Sequence, residues 1–89
     1  MKGSEKQVAW AKDIIEGAYR TLDCMDRNVA RNTDGILGLV YDSKDVEAVR
    51  AWLHSQLDNV EDASAIIGIR NRLDQTSLEK LAEINHKNA

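Results

Sequence analysis

The chain of 89 residues has no phenylalanine, no proline, one cysteine, two histidines and five glycines. Without phenylalanine, a core must be built from Leu, Ile, Val, Ala and the two tryptophans. The lone Cys24 excludes an intrachain disulfide and any CxxC redox or metal motif. Zero proline and few glycines suit helices joined by short turns; a β-sandwich needs more turn punctuation and more aromatics. No apolar run approaches the ~20 residues of a membrane span, and no signal-peptide pattern is present, so a cytoplasmic protein is expected.

The chemical inventory is equally thin. A nucleophile needs a base within reach and a base needs an orienting group. Cys24 lies beside an apolar seam, next to Met25, and reads as a packed or half-exposed structural thiol. His54 falls at the edge of an apolar stripe, and His86 lies near the chain end, where solvent exposure is expected. There is no HExxH or H-x₃-H pair. Asp42, Asp45 and Glu47 lack the alternating ligands of a calcium loop. The Gly35-x-x-Gly38 spacing has no GK[ST] after it. The expectation is therefore a non-enzyme with no catalytic residue, cofactor or metal.

What the chain does have is helical periodicity. Ser4 and Gln7 form a capping box, and Glu5 places a carboxylate at the positive end of the helix. Val8, Ala11, Ile15, Ala18, Leu22, Met25 and Val29 then step by three and four, a narrow seam that needs a partner surface. Trp10 and Ile14 widen it on one side, Ile15 and Tyr19 on the other, with both tryptophans expected in the core. Glu16–Arg20 and Asp23–Arg27 have the spacing of favourable ion pairs. The helix covers about 4–32, with 23–26 its most breakable section, and ends in a turn at 32–35.

Residues 36–41 read as an apolar connector. Asp42 or Ser43 caps a second helix carrying Val46, Val49, Leu53 and Leu57, flanked by Trp52 and closed by Asp58-Asn59. Ala63, Ile66, Ile69 and Leu73 form a weaker helical series. Thr76-Ser77-Leu78-Glu79 reads as a capping box opening a last helix with Leu78, Leu81, Ala82 and Ile84 inward. The fold class is all-α: one helical domain, 1–89, an irregular bundle of about four helices with a long first helix.

Net charge is −3, which argues against nonspecific nucleic-acid binding as the main activity. The net negative charge falls between 34 and 69, where helix N-termini account for it. Arg20, Arg27 and Arg31 share roughly one face of the first helix, and Arg70-Asn71-Arg72 adds a second basic spot. These residues carry the alternative expectation, a nucleic-acid accessory protein.

The opening Gly3-Ser4-Glu5-Lys6-Gln7-Val8-Ala9-Trp10-Ala11 resembles the start of a set of small bacterial, phage or mobile-element proteins with a G-S/T-x-K-Q-x-x-W-A helix. Their later I-x-N-R element is similar to Ile69-Arg70-Asn71-Arg72 here. Ile66 and Ile67 stand where the set carries an aromatic pair. The resemblance implies an all-helical accessory protein and transfers no catalytic residue. It also implies that Ser4, Gln7, Trp10, Asn71 and Arg72 form a structural motif in which Trp10 and Arg72 meet.

Together these readings lead to a small interaction module that binds a host or self partner, as in a homodimer, through a helix face. The expected surface is the far end of the first helix, Met25 and Val29 with Arg20, Arg27 and Arg31. So short a chain does not easily cover that end.

Overall fold

A computed structural model describes residues 1–32 and 38–88. The chain forms α1 (Glu5–Arg31), α2 (Ser43–Leu57), α3 (Ala63–Gly68), a single 3₁₀ turn (Arg70–Arg72) and α4 (Gln75–Asn88). This is the expected small all-α bundle with a long first helix. Among the described residues, no helix is long and apolar enough to cross a membrane. The turn expected at 32–35 and the first half of the 36–41 connector fall largely outside the described residues.

Local chemistry sets each helix start. The Ser4 hydroxyl accepts from the Gln7 N–H while the Gln7 side chain accepts from the Ser4 N–H, closing the predicted box. Asp42 and Asp45 build a second reciprocal box at α2, and Asp62 caps α3 through the Ser64 N–H. At α4 the predicted Thr76–Glu79 box is not used. Asp74 accepts from the Ser77 N–H at 2.8 Å, and its carbonyl takes the Leu78 N–H. The helix therefore begins at Gln75, one residue before the predicted cap. Ahead of α1, Lys2 pairs with Asp62 in an isolated parallel bridge. Gly3, at φ +140°, makes that approach possible; a Cβ there would meet the Ala63 Cβ at 3.1 Å.

α1 is continuous through 23–26. Asp23 and Asp26 both turn to Arg50 on α2, at 3.4 and 2.7 Å, so the expected Asp23–Arg27 pair is replaced by a tie between helices. Glu16–Arg20 forms as predicted, at 3.5 Å. At 1.5 Å per residue α1 spans about 40 Å and sets the long axis of a 48 × 22 × 17 Å molecule. The radius of gyration is 14.3 Å, against about 12 Å for a compact chain of this length.

The seam of α1 serves two clusters in succession. Near its start, Ala11 packs with Ala63 and Ile66 of α3. Further on, Ala18, Leu22 and Met25 pack with Val46, Val49 and Leu53 of α2, and with Leu78 and Ala82 of α4. Ile14 and Leu57 border both clusters. α3 thus occupies one end of α1, while α2 and α4 share the other.

Candidate functional site

The expected partner surface loses its apolar half. Met25 is 1% exposed, and Val29 packs against the same cluster. Tyr41 belongs to that cluster and Leu39 packs on it, so these two residues share the core with Met25. Burial, with nearby Glu79 next, raises the Tyr41 phenol above its ordinary value. Arg20, Arg27 and Arg31 remain exposed as a cationic stripe; only Arg20 is ion-paired among the described residues.

Trp10, expected in the core, is 49% exposed. Six-residue α3 covers the seam at Ala11 and leaves the flank where Trp10 sits. The Arg70 guanidinium lies over this indole, 5.3 Å from its centroid. The resemblance implied Arg72 in that place. In a 3₁₀ turn successive residues are about 120° apart, so positions 70 and 72 face different sides. Arg70 takes Trp10 and also donates to the Ile67 carbonyl at 2.7 Å. Arg72 lines a hollow together with Trp52. Asn71 contributes its carbonyl, which accepts from the Ser77 hydroxyl at 2.8 Å.

Trp52 marks an apolar furrow on the surface. Two adjoining hollows, of about 230 and 210 Å³, lie between α2 and α4 and share Trp52, Leu81 and Ile84. Ala48 extends the floor along α2. Ile84, expected inward, is 45% exposed at the lip. One end carries Arg72 and Lys80, the other Asn85 and Asn88. Among the described residues, no carboxylate lines either hollow.

A hydrogen-bonded latch holds the two walls together. Asp45 is 2% exposed, yet every lone pair it needs is engaged. Its Oδ2 accepts from the Asp42 N–H at 2.8 Å and lies 2.8 Å from His86 Nδ1. Its Oδ1 accepts from Asn85 Nδ2 at 2.7 Å. Burial pushes this carboxyl up, but the Asp42, Asn85 and His86 bonds outweigh it and hold it below its ordinary value of 3.8. The latch joins the start of α2 to the end of α4, fixing the pair antiparallel. His86, expected to be solvated, is its outer member.

Asp42, Asp45 and His86 each bring one donor atom within 4.8 Å of the others, a spacing compatible with a cation. The Asp45 oxygens are already committed to N–H donors, so this cluster works as a structural clasp. Cys24 is exposed. His54 Nδ1 lies 3.0 Å from the Tyr19 hydroxyl, a boundary position between α1 and α2 as predicted. Both imidazoles are thus engaged with groups other than the thiol.

No protein-family model matches the chain, and neither a curated protein nor a solved structure matches it.

Sequence reasoning missed the groove because Trp52 and Ile84 satisfy core periodicity. The latch had a readable signal in Asp42-x-x-Asp45, a reciprocal capping pattern with a carboxylate at its third position. Its partners, 40 and 41 residues away, carry no local signature.

Proposed function

We propose that this chain is a non-enzymatic, cytoplasmic protein-interaction module that seats a partner helix between α2 and α4. The observation that carries this reading is the open apolar lining of Ala48, Trp52, Leu81 and Ile84. Two antiparallel helices with a bare apolar furrow offer the geometry in which a third helix lays anchors spaced i, i+3/i+4 and i+7. Concave position separates this surface from the scattered exposed apolar residues found on any protein. The accessory role implied by the resemblance to phage and mobile-element proteins suits such a module.

The test compares wild-type protein with Ile84→Asp in capture from bacterial lysate and in light scattering. Ile84 is 45% exposed, so the variant should keep its stability within roughly 1 kcal/mol. It should lose the captured partner or the self-association. Capture or association indifferent to Ile84→Asp refutes the reading.

The second reading, a nucleic-acid accessory protein, is favoured by Arg27 and Arg31, exposed and without an ion pair among the described residues. It requires DNA or RNA binding that weakens steeply with salt and is lost in Arg27→Glu/Arg31→Glu. Binding that ignores both sinks it.

A further inference from the structure

Resting on the reading of the α2–α4 groove as a helix seat, we infer that the partner helix is acidic, with Asp or Glu beside its apolar anchors where it meets Arg72 and Lys80. Both cations line the same hollow as Trp52, Leu81 and Ile84. Neither is ion-paired among the described residues, unlike Arg50, which is held by Asp23, Asp26 and Glu47. The chain as a whole carries −3, so positive charge at this spot runs against its average. The Arg72 guanidinium presents a planar fork suited to a carboxylate.

A second copy fits poorly. A two-fold contact would set the Arg72/Lys80 end of one groove against itself or against Asn85 and Asn88 of the other. Among the described residues, no lining side chain is a carboxylate, so neither arrangement pairs the two cations. Length sets a further limit. From Ser77 to Asn88, α4 rises about 16 Å, enough for roughly three turns of a partner helix. Two or three apolar anchors and one acidic flank therefore describe the occupant. Charges at a groove end act chiefly on partner choice and association rate, so the preference should be salt-dependent.

The experiment uses Trp10→Phe as host, which leaves Trp52 as the sole indole, and follows its fluorescence with amide shifts. The probes are a helical peptide of about fourteen residues with Leu anchors and Glu flanks, its twin with Lys for Glu, and a short DNA duplex. The Glu peptide should perturb Trp52 and residues 48–52 and 81–88. It should bind roughly tenfold more tightly than its Lys twin, an advantage that shrinks as ionic strength rises from about 0.05 to about 0.5 M. Arg72→Glu/Lys80→Glu, both exposed positions, should reverse the preference while far-UV circular dichroism stays unchanged. Equal binding of the two peptides at Trp52 overturns the acidic partner and leaves the helix seat standing. A duplex that outcompetes the Glu peptide makes the cation pair a phosphate site and overturns the inference. If neither peptide reaches Trp52, the helix seat and the inference fall together.

Discussion

Replacing Asp45 with alanine should unfasten α2 from the end of α4. The carboxylate is buried and accepts from Asn85 Nδ2 at 2.7 Å, with His86 Nδ1 and the Asp42 N–H each at 2.8 Å. Hydrogen bonds to a charged group contribute about 1.5–3 kcal/mol apiece, and contacts sharing one acceptor are far from additive. The Asp42 N–H bond is itself half of the α2 capping box, worth about 1 kcal/mol. A destabilisation of roughly 2–4 kcal/mol follows, a large share of the 5–10 kcal/mol such a chain commands. Urea unfolding at neutral pH, read by circular dichroism, measures it directly. Asn85→Ala should cost less, and the double variant should show coupling of about 1 kcal/mol.

The pH dependence has a definite sign. The folded carboxyl titrates below its ordinary 3.8, so near that pH the unfolded chain binds more protons. Stability from this group is complete above the unfolded pKa and is lost as pH falls through the folded one. The gap between wild type and Asp45→Ala should hold from neutrality to about pH 5 and close below about pH 4. A cost below about 0.5 kcal/mol, the range of ordinary surface substitutions, would refute the latch. So would a gap that stays constant into acid.

The same glycine-to-alanine change should act oppositely at two sites. Gly3→Ala, at φ +140° and against the Ala63 Cβ, should destabilise by about 1–3 kcal/mol. Gly17→Ala, on a helix with nothing within 4 Å of the added methyl, should stabilise by about 0.5–1 kcal/mol. Thermal midpoints check both. Arg50→Ala should cost about 1–2 kcal/mol, because it leaves the part-buried Asp26 carboxylate without its 2.7 Å partner; high salt should narrow that difference. Leu22→Ala, fully buried between the helices, should cost about 2–5 kcal/mol by chemical denaturation.

The starts of α1 and α2 and the inward seam were legible because their causes are local. Ser4–Gln7 closes within one turn, and Ala11, Ala18, Leu22 and Met25 lie where three-and-four spacing puts them. Partner choice was not legible wherever two local rules competed. Asp23 satisfied the spacing rule with Arg27, but Arg50 from another helix offered a guanidinium that contacts Asp23 and Asp26 together. Asp74 outranked Thr76 as the cap of α4, an outcome that two polar residues on either side of Gln75 do not decide by pattern. Arg70 and Arg72 differ only in which side of a 3₁₀ turn they occupy, and that turn had read as weak helix.

The groove follows from the same bookkeeping of faces. An apolar arc on α2 that includes Val46, Val49 and Leu53 is satisfied by α1, and Leu78 and Ala82 do the same from α4. Trp52 and Ile84 lie at the outer edge of those arcs. A fourth helix could cover them, but α3 is spent at the other end of α1 on Ala11. Six residues long and tethered to α2 by a short joint, it cannot also cross the outer side of α2 and α4. An indole and an isoleucine thus remain open between two helices that a buried carboxylate holds in fixed register. Deleting the latch should therefore weaken partner binding even though Asp45 touches none of the groove's outer surface. Restoring a clasp by another means, such as a disulfide between the start of α2 and the end of α4, should recover binding in Asp45→Ala. Failure of that rescue would separate the clasp from the surface it is argued to hold.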